Sequence, residues 1–161
     1  MQSSKSQIKK QYFSVDLFED ICKRLEQQGV DLKKFTRNDI SWVDEFHVRG
    51  AEVSNELVQE IYLNDTKVLD VGCGLGGPAR MLAHRFNCKV TGVDLCEEYI
   101  RTARKLSELT GLTDKTDFIQ ADALDLHFEN DSFDIVWTQH VQMNIEDKTK
   151  FYSEIKRVLV D

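Results

Sequence analysis

The stretch VLDVGCGLGGPAR, Val68 to Arg80, restricts the fold more than any other part of the chain. It holds four of the eight glycines and the single proline. An apolar run there ends in an acid, glycines fill the next positions, and Pro78 leads into the helix-forming ARMLAHRF. A strand buried on both faces reads as a near-continuous apolar run. Glycine supplies positive φ and bare backbone, and proline suits the first turn of a helix. The stretch therefore predicts strand, tight turn and helix in immediate succession. Gly72, Gly74 and Gly77 also fit G-x-G-x-x-G, in the strand-to-helix context that this pattern requires. In such a turn a ligand can approach backbone N–H groups at the positive end of the helix.

The rest of the chain repeats the alternation. KVLDVG, CKVTGVD, TDFIQAD and SFDIVWTQ read as strands at about 67–71, 89–93, 117–121 and 133–138. GPARMLAHRF, EEYIRTARKLSELTG and DKTKFYSEIKRVLV read as the helices that follow, the second acidic at its start and stopped by Gly111. Upstream, Leu17, Ile21 and Leu25 predict a helix from Asp16 to Gly29. Val53, Leu57 and Ile61 predict another from about Ala51 to Tyr62, with those three on one face. Strands alternating with helices imply right-handed crossovers and a parallel sheet. The expected fold is α/β, a doubly wound Rossmann-like sheet. Residues 1–50 form an N-terminal helical or lid segment and 51–161 the sheet domain.

Composition narrows the class of ligand. Acids outnumber Lys and Arg by 28 to 21, a net charge of −7, without the basic footprint of a nucleic-acid binder. No window approaches the length of a membrane span, and the N-terminus has no apolar signal-peptide core. Cys22, Cys73, Cys88 and Cys96 show no CxxC or zinc-finger spacing, and no His/Cys/acid cluster has metal-ligand spacing. The expectation is a cytoplasmic protein with reduced thiols and no metal.

Asp94 ends the second strand, 22 residues after Gly72. An acid there can accept from the two hydroxyls of a ribose, or cap the helix that follows it. The glycine turn favours the first use. The crevice at the carboxyl ends of the first two strands is then a nucleoside site, a description that a dinucleotide oxidoreductase also satisfies. Asp70, two residues before Gly72, weighs against a pyrophosphate, which it would repel, and suits a ligand bearing an ammonium group.

VLDVGCGLGG, VTGVDL, FIQADALDL and FDIVWTQHVQMNI, in that order, resemble the successive motifs of class I S-adenosylmethionine-dependent methyltransferases. The likeness runs from about Lys67 to Leu159. VDEFHVRG, Val43 to Gly50, is similar to the segment before the first strand in a small-molecule branch, the ubiquinone/menaquinone C-methyltransferases and sarcosine or dimethylglycine N-methyltransferases. The resemblance implies S-adenosyl-L-methionine as cofactor, S-adenosyl-L-homocysteine as product and a small-molecule methyl acceptor. It implies that Asp70, Gly72 and Gly74 hold the methionine portion, Asp94 the ribose, and Leu95 the adenine face. Asp122 would accept from the adenine amino group beside the N–H of Ala123, and the Gln139 carbonyl would face the methionine amine.

His140 and Met143 would line the passage to the acceptor, with His140 the candidate general base or an orienting residue. His47 is the second candidate base, able to close over the cofactor from the N-terminal lid, and Phe35, Trp42 and Phe46 either line the acceptor pocket or pack helices on the sheet. The family's seven-stranded sheet continues past the equivalent of Leu159, so the expectation is a truncated form. Its apolar fourth-strand edge invites a homodimer, and its activity is in doubt. The rivals are a nicotinamide-dependent oxidoreductase and a non-catalytic nucleoside- or S-adenosylmethionine-binding module.

Overall fold

The computed structural model describes residues 17–37, 39–40, 51–61 and 63–161. Trp42, Phe46 and His47, and Asp16, the expected start of the first helix, lie outside these residues. The elements are α1 (Leu17–Gln27), α2 (Ala51–Leu57), β1 (Lys67–Val71), α3 (Gly77–Phe86), β2 (Lys89–Asp94), α4 (Glu97–Leu109), β3 (Thr116–Gln120), β4 (Ile135–Thr138) and α5 (Lys148–Val158). Single 3₁₀ turns occupy Leu32–Lys34, Val58–Glu60 and Gln142–Asn144.

The four strands form one parallel sheet in the order β3-β2-β1-β4. The chain winds outward from β1 to β3, then returns to lay β4 against the other side of β1. The switch point lies between β1 and β4, where ligands of open α/β sheets bind outside the carboxyl ends. One row of register partners crosses the whole sheet: Phe118, Gly92, Asp70 and Trp137.

The alternation of side chains sorts β1 between two layers. Val68 packs with Ala79, Met81, Leu82 and Ala83 of α3 and with Ile100 and Ala103 of α4. Leu69 and Val71 pack with Phe151 and Val158 of α5 on the opposite face. A third cluster joins Ile21 and Leu25 of α1 to Phe35, Ile40, Leu106 of α4 and Leu75 of the glycine turn. Phe35 is thus a packing residue, and α1 leans on α4 and the turn together.

Helix ends follow local chemistry. After α1 the Val30 N–H reaches the Leu25 carbonyl and the Gly29 N–H reaches Glu26 O, with Gly29 at φ +84°. This is a Schellman ending, sealed by the apolar pair Leu25 and Val30. Asp147 caps α5 by accepting from Lys150 N at 2.9 Å.

Several expected elements shift, and β2 ends at Asp94 rather than 93. β3 begins and ends one residue earlier than 117–121. β4 begins at Ile135 rather than 133, because Phe133 leaves the ladder to form an isolated bridge with Leu159. The second helix gives way after Leu57 to a 3₁₀ turn, and its buried face is one residue out of phase with the expectation. Ser54 and Val58 are buried, whereas Leu57 and Ile61 are 41% and 37% exposed. The Ser54 hydroxyl fixes this phase by donating to Gln139 Oε1 at 3.2 Å.

Candidate functional site

The glycine turn is held by backbone bonds to its neighbour strand. The N–H groups of Gly72 and Cys73 both donate to the Val93 carbonyl, at 2.8 and 3.0 Å. Its glycines serve different ends. A Cβ on Gly72 would fall 1.9 Å from Val141 Cγ2, and one on Gly76 would fall 2.6 Å from the Phe118 ring. Those two are small because the chain packs against itself. At Gly74, φ is +53° and an added Cβ would meet nothing within 4 Å. That face of the turn is open backbone.

Asp94 binds this turn directly. Its Oδ2 accepts from Gly74 N at 3.0 Å and its Oδ1 from Cys96 N at 2.9 Å, the residue that caps α4. The acid therefore ties the turn to the start of α4, and a carboxylate retains lone pairs beyond those two bonds. Burial raises its pKa, while N–H donors from Cys96, Gly74 and Leu95 favour the charged form.

Asp70 is in the opposite position. It is 2% exposed in the middle of the sheet, and its Oδ2 has no hydrogen-bond partner among the described residues. Burial, and then the charge of Asp94, push its pKa up to about 7. Of the two acids, Asp94 has backbone donors that offset part of the effect of burial, and Asp70 has none among the described residues.

Further polar groups gather at the end of β4. Gln139 Oε1 accepts from Ser54 Oγ and from Trp137 Nε1, each at 3.2 Å, while its Nε2 is buried and unpartnered among the described residues. Thr138 Oγ1 is likewise buried and unpartnered. His140 is exposed, with φ +55° in the left-handed region, and Met143 is 74% exposed on the turn that follows. Val141 packs against the bare face of Gly72.

On the far side of β2, Leu95 is half-buried and its carbonyl accepts from Gln120 Nε2 at 3.1 Å. Asp122 folds the loop after β3: its Oδ1 accepts from Leu124 N at 3.0 Å and it bridges to Asp125. Ala123 is half-buried beside it. Asp70, Gly72, Gly74, Asp94, Leu95 and Gln139 thus share the carboxyl end of the sheet, with Asp122 and Ala123 just beyond β3. His84 and His127 are exposed, as solvated side chains.

Sequence reasoning missed Ser54, the Trp137 indole and Thr138. The Ser54 signal was its spacing four residues before Val58, hidden by the stronger apolar series beside it. No group of three metal-ligating side chains forms among the described residues, and no described helix is long and apolar enough to cross a membrane.

A four-stranded parallel sheet with a glycine turn at its switch point, an acid ending β2 and polar groups unpaired among the described residues at its mouth defines a doubly wound α/β domain. Residues 69–161 match the family described as "Methyltransferase domain", more than half of the chain, and the chain belongs to that family. It is 41% identical over 92 residues to the chloroplastic tocopherol O-methyltransferase of Arabidopsis thaliana, covering 57% of this chain and 26% of that protein. It is 33% identical over 122 residues to methyltransferase GfsG of Streptomyces halstedii, covering 75% and 44%.

Among solved structures, it superposes with a TM-score of 0.68 and 27% identity on phospholethanolamine N-methyltransferase 2 of Haemonchus contortus, a complex with phosphomonomethylethanolamine and S-adenosylhomocysteine. The superposition covers 75% of this chain and 29% of that one. The chain spans less than half the length of each of these relatives.

Proposed function

We propose that the chain is the cofactor-binding part of an S-adenosyl-L-methionine-dependent methyltransferase acting on a small molecule. The observation that carries this reading is Asp70, a buried carboxyl at the switch point with an unpartnered oxygen. A ligand ammonium satisfies that oxygen and removes the penalty of ionising the acid. A pyrophosphate in the same place would meet like charge. The open backbone at Gly74 gives room for the amino-acid tail, and the spare lone pairs of Asp94 suit a ribose. Leu95, Asp122 and Ala123 would hold the adenine.

When bound, the cofactor supplies a methyl group activated on sulfur. The chain's part is to align and to exclude water, since in-line displacement depends on the approach of the acceptor. Asp70 and Asp94 fix the two ends of the tail and sugar, and the Gln139 carbonyl faces the amine. His140, exposed where β4 opens on the crevice, takes a proton from acceptors that arrive protonated. Met143 lines the approach. A cytoplasmic location, an acceptor from small-molecule metabolism, no nucleic-acid partner and pairing of two copies along the outer edge of β4 belong to the same proposal.

Titration calorimetry with S-adenosylhomocysteine and with NAD tests the reading. Binding of the first with no response to the second is expected; tight NAD binding alone would overturn it. Turnover against a panel of small acceptors separates an enzyme from a binding module.

A further inference from the structure

The side chain of Gln139 is oriented with more care than a strand-end residue requires. Its Oε1 accepts from two donors, Ser54 Oγ of α2 and Trp137 Nε1 of β4, each at 3.2 Å. An indole N–H can only donate, so the amide oxygen must lie on that side and the amide nitrogen must point away from it. That nitrogen is buried and finds no acceptor among the described residues. A buried donor left unpaired is expensive, so an arrangement that saturates the oxygen and spares the nitrogen is shaped for an acceptor arriving from outside.

One strand away the converse occurs. Asp70, the register partner of Trp137, carries a buried acceptor with no donor among the described residues. An unpaired donor and an unpaired acceptor on adjacent strands at one crevice complement a group that bears both an anion and a cation. We propose that Gln139 Nε2 is a specificity-determining donor to the carboxylate of the α-amino-acid tail carried by the bound nucleoside, opposite Asp70 on its ammonium. Ser54 and Trp137 are positioning residues that fix the amide. The inference rests on the cofactor reading above and adds to it a side chain that selects nucleosides bearing an amino acid over those without one.

The test compares two probes on the full chain by titration calorimetry: S-adenosylhomocysteine, which carries the tail, and 5′-methylthioadenosine, which does not. Gln139→Leu is expected to weaken S-adenosylhomocysteine by roughly 10- to 100-fold, the range for a hydrogen bond to a charged group. It leaves 5′-methylthioadenosine unchanged within about twofold. Gln139→Glu keeps the shape but turns the donor into an acceptor. Its loss on S-adenosylhomocysteine, taken relative to wild type, should shrink as the pH falls and the new carboxyl protonates. Trp137→Phe and Ser54→Ala, which free the amide to turn, should each cost about 2- to 10-fold on the tailed probe only.

Equal losses on both probes, or no loss on S-adenosylhomocysteine, would overturn the proposal. Should a Gln139 variant fail to fold, the Trp137→Phe and Ser54→Ala pair decides by the same criterion. Wild-type protein that binds neither probe refutes the cofactor reading itself and takes this inference with it. Wild type that binds both equally well removes this inference and leaves that reading standing.

Discussion

Asp70 gives a prediction that couples stability, pH and ligand. In an unfolded chain its carboxyl titrates near 3.8, and in the folded protein burial and then Asp94 hold it up to about 7. Between those values the folded state binds a proton that the unfolded state has released, so folding stability falls as pH rises. At about 1.4 kcal/mol per pH unit, the loss accumulates to roughly 4 kcal/mol once the pH passes both values. Against the 5–15 kcal/mol of a typical domain, that is large. Guanidinium unfolding followed by tryptophan fluorescence should show it as a steady decline from about pH 4 to 7. Asp70→Asn removes the ionisation, flattens this decline, and is more stable than wild type at pH 8.

Ligand binding reverses the balance. An ammonium beside Oδ2 favours the ionised acid, so S-adenosylhomocysteine should expel the proton. At pH 6.5 a group titrating near 7 is about three-quarters protonated, so binding releases roughly that fraction of a proton. Titration calorimetry in two buffers of different ionisation enthalpy reads the number directly. No proton release, a flat wild-type stability profile, or Asp70→Asn binding S-adenosylhomocysteine as tightly as wild type would refute the reasoning. The variant that folds best should therefore bind worst.

Three further outcomes follow from the same geometry. Gly76→Ala forces a methyl into the Phe118 ring at φ +80° and should cost about 2–5 kcal/mol in chemical unfolding. Gly74→Ala meets no atom and should cost only about 1–2 kcal/mol of backbone strain, yet weaken S-adenosylhomocysteine in calorimetry by covering the open backbone. Asp94→Ala should lose about 1.5–3 kcal/mol of affinity for S-adenosylhomocysteine in calorimetry; undiminished affinity would leave Asp94 only its role between Gly74 N and Cys96 N. Glu154, whose pKa the Arg157 guanidinium holds down at about 2, stabilises the fold above pH 4.5 and loses that contribution as pH falls through 2, so Glu154→Gln should flatten the acid limb of the unfolding profile.

The sheet was legible because its signals are local. β1 and α3 follow from one contiguous stretch, and Gly29 and Gly111 mark helix ends by the positive φ that they alone supply cheaply. What escaped depends on contacts between distant residues. The face of α2 is chosen by Ser54 meeting Gln139, 85 residues away, and no periodicity within the helix reports that bond. The loop from Leu126 to Asn130 has no apolar period either. It is held by Arg157, which donates to the carbonyls of Leu126 and Phe128 and to Asn130 Oδ1, while Glu154 accepts from Leu126 N. The positions of Asp70 and Asp94 could be read from spacing, but not that Asp94 receives backbone donors while Asp70 Oδ2 receives none among the described residues.

The glycines of the turn divide between packing and access. Were all of them there to admit a ligand, each would face empty space. Gly92 and Gly76 instead make room for the Phe118 ring, which lies in the same row as Asp70, two strands away. Gly72 makes room for Val141, which brings the chain after β4, and with it Gln139, against the mouth of β1. Gly72 and Gly76 therefore admit neighbouring apolar side chains rather than a ligand. Only at Gly74 does the absence of a side chain leave bare backbone beside the acid that ends β2.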